Sequence, residues 1–135
     1  MTVEVTGPVA FVSGSPALLL QLVTNLVHNA IVHNLPEGGF VQVATLPGPG
    51  FVELTVENTG EQLSPQLVAT LTEPFRRGTE RIHGDQAGVG LGLAIVRSIA
   101  AAHDGTLTLT SRTGGGLRVT VRLASSQVSM PGTRW

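Results

Sequence analysis

QLVTNLVHNAIVHN, residues 21–34, decides how the chain is read. At about 100° per residue, Leu18, Leu22, Leu26 and Ala30, with Leu19, Val23, Val27 and Ile31, form a broad apolar arc. That is an amphipathic helix, and its arc must be buried against a second layer. Asn25, Asn29 and His33 recur every fourth residue and fall at the edge of the arc. Gln21, Thr24 and His28 take the outward side. Asn is a mediocre helix former, and an unpaired buried carboxamide costs about 1–3 kcal/mol. The ladder therefore asks for a polar partner. A neighbouring loop would serve. So would a cation or a polar ligand, because Asn supplies a neutral oxygen that suits hard Mg²⁺, which keeps several waters and usually arrives with phosphates.

Working outward, Ser15-Pro16 starts this helix as N-cap and first helical residue, and PEGG at 36–39 ends it. Upstream, TVEVTGPVAFVSG alternates polar and apolar and turns at Gly7-Pro8, which predicts two short strands at about 2–6 and 8–12. Downstream, FVQVATL and FVELTVEN are strands joined by PGPG. Ser64-Pro65 starts a short helix to about Thr72. Residues 73–90 fit neither period and form a long polar loop of the sort that serves as a functional lid. LGLAIVRSIAAAH is a second strong helix, closed at Asp104-Gly105 with Gly105 as C-cap. TLTLTSR and LRVTVRL make a final hairpin around TGGG. The expected architecture is an α+β two-layer sandwich: a mixed, mostly antiparallel sheet packed on three helices. One domain spans 1–123, and 124–135 reads as a disordered tail.

Composition narrows the chemistry. The chain has 135 residues, 41% hydrophobic and 13% charged, which suits one well-buried core. A net charge of -1 offers no basic field for nucleic acid. There is no Cys, and all eight basic residues are Arg. Disulfides, thiolate metal sites, Schiff bases and a P-loop lysine are excluded. No run approaches the roughly 20 apolar residues that cross a bilayer, and no signal peptide opens the chain. The expectation is a soluble, cytoplasmic piece, monomeric in isolation.

Two further stretches carry chemistry. GVGLGLAIV, from Gly88, runs glycines into a helix. Such glycines let backbone N–H groups approach an anion, or they form a hinge. A dinucleotide fingerprint would need Gly where Leu93 stands, and a preceding strand. VENTG, residues 56–60, ends a strand with a polar residue and then a glycine, which either aims a side chain into a pocket or makes a plain turn.

Together these pieces resemble the catalytic ATP-binding domain of two-component sensor histidine kinases. LVTNLVHNAIVHN resembles the N box, VENTG the first glycine box, EPFRRG the F box, GVGLGLAIV the second glycine box and RTGGGLRVTV the last. Order and spacing agree over about residues 2–123. The resemblance implies the Bergerat sandwich. In VHN, VENTG and AHDGTLTLT the chain resembles actinobacterial VanS-type vancomycin-resistance sensors. By this resemblance Asn29 is the Mg²⁺ ligand and Asn25 lines the phosphate site. His33 stands where the family often has Tyr beside the nucleotide. Asn58 faces the adenine amino group and Gly60 opens the adenine pocket. Residues 73–90 become the ATP lid, anchored by Phe75. Gly88, Gly90, Leu91 and Gly92 present N–H groups to the phosphates, and at least one of Arg76, Arg77 and Arg81 reaches a phosphate. The implied cofactors are ATP and Mg²⁺. The implied partners are a histidine-containing dimerisation domain and, through the parent protein, a response regulator. The parent is expected in the cell membrane.

Four positions depart from the family pattern. Asn58 replaces Asp, turning a charge-assisted acceptor into a neutral one. Gln62 replaces a glycine, Val32 a lysine, and Leu117 a threonine. Each points to weaker ATP binding or to a larger share for the lid arginines. Related ATPases place Glu at the Asn25 position to activate water, and Asn cannot act as a general base. The chain should hold ATP for another nucleophile rather than hydrolyse it. The family's phosphoacceptor histidine motif has no counterpart here, so no autophosphorylation is expected. His28 reads as solvated, His83 lies in the lid, and His103 closes a helix where its charged form would favour the dipole. The alternatives are an ATPase of the same superfamily and a degenerate interaction module without nucleotide.

Overall fold

The computed structural model describes residues 1–8, 11–72 and 84–125, with backbone alone over 84–91. Five strands and three helices lie within it. They are β1 (Thr2–Thr6), α1 (Pro16–Val32), β2 (Phe40–Gly48), β3 (Phe51–Asn58), α2 (Pro65–Thr70), α3 (Gly84–Ala102), β4 (Thr106–Ser111) and β5 (Leu117–Ala124). The sheet order is β1-β2-β3-β5-β4. Only β1·β2 is parallel among the described pairs.

The inward positions of β2, β3 and β5 are apolar at every second residue: Val41 and Val43; Val52, Leu54 and Val56; Leu117, Val119, Val121 and Leu123. All but Val52 share one core cluster with Leu22, Leu26 and Ala30 of α1 and Leu93, Val96, Ile99 and Ala100 of α3. Each Leu or Val so buried contributes about 1.5–3 kcal/mol. The opposite face of the sheet is polar, so helices cover one side only. Leu18 and Ile31, at the two margins of the α1 arc, are exposed.

Both Ser-Pro starts form as expected. Ser15 Oγ accepts from Leu18 N–H at 3.2 Å, and Ser64 Oγ from Leu67 N–H at 3.1 Å. Two expectations need correction. Of the second strand expected at 8–12, the described residues 8, 11 and 12 show only an isolated bridge from Val12 to Ser125; Gly7, at φ 100°, turns the chain off β1, and Pro8 has no N–H to give a ladder. The left-handed residue ending α3 is Asp104, φ 58°, rather than Gly105. His103 closes α3 and also reaches beyond it: Nδ1 faces Ile99 O at 2.8 Å, while Nε2 accepts from Ser15 N–H at 3.1 Å, which ties the start of α1 to the end of α3.

Candidate functional site

β3 builds one wall. Strand alternation turns Glu57 to the polar face and Asn58 to the helix side, where Asn58 is 4% exposed and the one buried polar residue among the described core. Its Nδ2 donates to Thr59 O at 2.8 Å. An oxygen in that place would face another oxygen, so the bond fixes the amide's orientation and leaves Oδ1 as the free end. The chain then turns at Gly60. A Cβ there would lie 2.7 Å from the carbonyl oxygen of His33. Gly115 and Gly116, at φ +108° and +105°, back the same corner. Gly116 N–H donates to Glu61 O at 2.9 Å, and any side chain on Gly116 would strike the Asn58 carbonyl.

α1 builds the facing wall. Asn25, Asn29 and His33 are half-buried along one stripe, and His28 is exposed. Asn25 Nδ2 is buried and has no hydrogen-bond partner. His33 closes the helix, its N–H donating to Asn29 O at 3.1 Å. The structure thus brings His33, Asn58 and Gly60 to one corner, with Asn29 and Asn25 one and two turns back along α1.

Sequence reasoning missed Asn34. Its Nδ2 donates to Ala30 O at 3.1 Å and Phe40 O at 2.9 Å. Its Oδ1 accepts from Leu35 N–H at 2.8 Å and Thr59 Oγ1 at 2.6 Å. Thr59 Oγ1 in turn accepts from Phe40 N–H at 2.8 Å. This clasp joins the exit of α1, the start of β2 and the end of β3, and so sets the width of the corner. The only signal in the sequence was a fourth polar residue directly after the ladder.

The glycine run differs from expectation. α3 begins at Gly84, so Gly88, Gly90 and Leu91 are helical rather than a loop before the helix. Glycine costs a helix only about 1 kcal/mol per residue, and a helix nucleated by the apolar run at 93–96 propagates at small cost. Gly92 is half-buried, and a Cβ there would meet nothing within 4 Å. Phe75, Arg76, Arg77, Arg81 and His83, together with tail residues 126–135, lie outside the described residues.

Chemically, the groove offers the free oxygen of the buried Asn58, a buried donor without a partner at Asn25, and the half-buried carboxamide of Asn29 between that donor and the corner. No group of three His, Asp or Glu converges among the described residues. A cation here would therefore take neutral oxygen from Asn29 and the rest of its shell from its own ligand and water. The unsatisfied Asn25 amide calls for an acceptor oxygen. That donor set fits a magnesium-bound phosphate chain.

The family model described as "Histidine kinase-, DNA gyrase B-, and HSP90-like ATPase" matches residues 14–127. Sensor protein CutS of Streptomyces coelicolor is 44% identical over 123 residues, covering 90% of this chain and 30% of CutS. The chain thus spans under a third of that relative's length. Among solved structures, the mycobacterial sensor histidine kinase MprB aligns with a TM-score of 0.77 at 29% identity, over 92% of this chain and 81% of MprB. The ATP binding domain of PrrB from Mycobacterium tuberculosis aligns with a TM-score of 0.70 at 27% identity, over 93% and 80%.

Proposed function

Because the chain belongs to the histidine kinase-, DNA gyrase B- and HSP90-like ATPase family, as the ATP-binding catalytic domain of the sensor histidine kinase kind, we propose how its own residues do that work. Asn58 Oδ1 accepts from the adenine amino group, and Gly60 leaves room for the base. Asn29 supplies the oxygen ligand to Mg²⁺. Asn25 Nδ2, unpartnered in the free domain, donates to a phosphate oxygen. Bound Mg²⁺ supplies charge neutralisation for the phosphates. The amides of Gly88–Gly92 join as donors if the first turns of α3 open, and the arginines at 76, 77 and 81 supply further charge. The observation that carries this reading is the orphaned Asn25 amide, buried beside Asn29 on one stripe of α1.

Asn25 has no basic carboxylate, so ATP is held rather than hydrolysed. The domain's part in transfer is positioning, and the γ-phosphate goes to a histidine on a separate dimerisation domain of the parent, which passes it to a response regulator. The parent sits in the membrane with this domain on the cytoplasmic side, where ATP is. The isolated chain is monomeric and does not phosphorylate itself. The VanS-type likeness is a proposal about the parent's sensing half, tested by glycopeptide-induced phosphorylation in cells.

The test is a melting curve with and without Mg-ATP. Nucleotide at 100 times its dissociation constant should add about 2.7 kcal/mol of stability. An unchanged curve at millimolar Mg-ATP would favour an interaction module. Steady-state release of phosphate would favour an ATPase.

A further inference from the structure

Three consecutive glycines, 114–116, form the turn that backs Asn58. Glycine loses more conformational freedom on folding than any other residue, so such a turn needs something to hold it in one shape. Arg112 does so from the polar side of the sheet. Its Nε donates to Glu57 Oε2 at 2.6 Å, and a terminal guanidinium nitrogen donates to Gly115 O at 2.6 Å. The guanidinium carbon lies 5.0 Å from the centre of the Phe40 ring. Arg112 N–H also donates to Gly116 O at 3.0 Å.

Glu57 immediately precedes Asn58, so one guanidinium fixes both the strand end that carries Asn58 and the turn that supports it. The Arg112 and Glu57 side chains are only 20% and 21% exposed, a partial burial that strengthens charge-assisted bonds. Across the β3·β5 register Arg118 also reaches Glu57, at 3.5 Å, but it is 58% exposed. A built-in control lies at the far end of that ladder. Arg122 bonds Glu53 at 3.2 Å over Phe51, but it is 51% exposed and holds no glycine turn.

We propose that Arg112 is a positioning residue for base recognition, locking the glycine turn and the end of β3 so that Asn58 meets the adenine amino group at a fixed angle. This rests on the proposed nucleotide site. The planar fork matters because it reaches a carboxylate and a carbonyl at once, which an ammonium point charge does not.

The experiment measures Mg-ATP and Mg-ITP affinity by calorimetry, since inosine lacks the amino group. Wild type should prefer ATP. Arg112→Ala should weaken ATP about tenfold, as expected for losing a charge-assisted brace, and bring the ATP/ITP preference close to one while ITP affinity changes little. Arg112→Lys and Glu57→Gln should fall between, and they carry the test if the alanine variant does not fold. Arg122→Ala should keep the wild-type preference. A wild type that binds no ATP defeats the nucleotide site itself. A wild type that binds ATP and ITP alike, an unchanged preference in the Arg112 variants, or an equal loss in Arg122→Ala overturns the role of Arg112.

Discussion

Two asparagines of one helix and its exit, nine residues apart in sequence, face opposite fates. Asn34 uses everything its amide has, two donors and two acceptors, on four partners at the ends of α1, β2 and β3 and in the loop between. Asn25 lies mid-helix with its Nδ2 buried and unpaired. A folded chain rarely leaves a buried donor without a partner, and one that does so beside a fully satisfied neighbour is not short of ways to bond amides. The contrast separates a carboxamide that builds the groove from one that waits for what enters it.

The largest effect should come from breaking the satisfied member. Asn34→Ala removes four hydrogen bonds, leaving Phe40 O and Thr59 Oγ1 only the bonds that Phe40 and Thr59 make to each other. A cost of about 3 kcal/mol follows, lowering the melting temperature by about 10 °C in a chain of this size. A loss under about 1 kcal/mol would mean that the clasp is not what joins α1 to β2 and β3.

How much of this was visible beforehand follows from which interactions are local. Ser15-Pro16 and Ser64-Pro65 marked both helix starts because capping involves neighbours three residues apart. The period-2 pattern marked β2, β3, β4 and β5 for the same reason, and the ladder of Asn25, Asn29 and His33 showed in the helix period. Asn34 could not be read so. Its partners Phe40 and Thr59 lie at the start of β2 and just past the end of β3, and only the β2·β3 register brings them together. Arg112 was hidden likewise, since its bond to Glu57 spans 55 positions. The strand expected at 8–12 is not seen in its described residues, because alternation shows that a segment fits a sheet, without showing that the turn before it, here at Gly7, returns the chain to a sheet edge.

The next effect sharpens the contrast within α1. Asn29→Ala should remove the magnesium dependence of ATP binding, weakening Mg-ATP about a hundredfold, some 2.7 kcal/mol, with the melting temperature of the free domain unchanged. Persistence of magnesium dependence would take the metal ligand away from Asn29. Asn25→Leu should do the reverse of Asn34→Ala. Replacing an unsatisfied buried amide by an apolar group of similar size leaves stability level or raises it by about 1 kcal/mol, while Mg-ATP weakens about tenfold. If instead the domain melts lower and ATP binds as before, the amide is structural and the contrast collapses.

Asn58 stands between the two, because half of its amide is used and half is offered. Nδ2 is committed to Thr59 O at 2.8 Å, which leaves the oxygen for adenine. Asn58→Asp therefore does two opposed things. It gives the base a charged acceptor, worth about twice a neutral hydrogen bond. It also sets a second carboxylate oxygen against the Thr59 carbonyl in a site only 4% exposed. The free domain should lose about 1 kcal/mol, and Mg-ATP should bind a few-fold tighter. Calorimetry and melting on one variant read the two terms separately. Tighter binding without loss of stability would mean that the Thr59 bond contributes nothing. Weaker binding would mean that the corner is built around the amide, with its donor as necessary to the base as its acceptor.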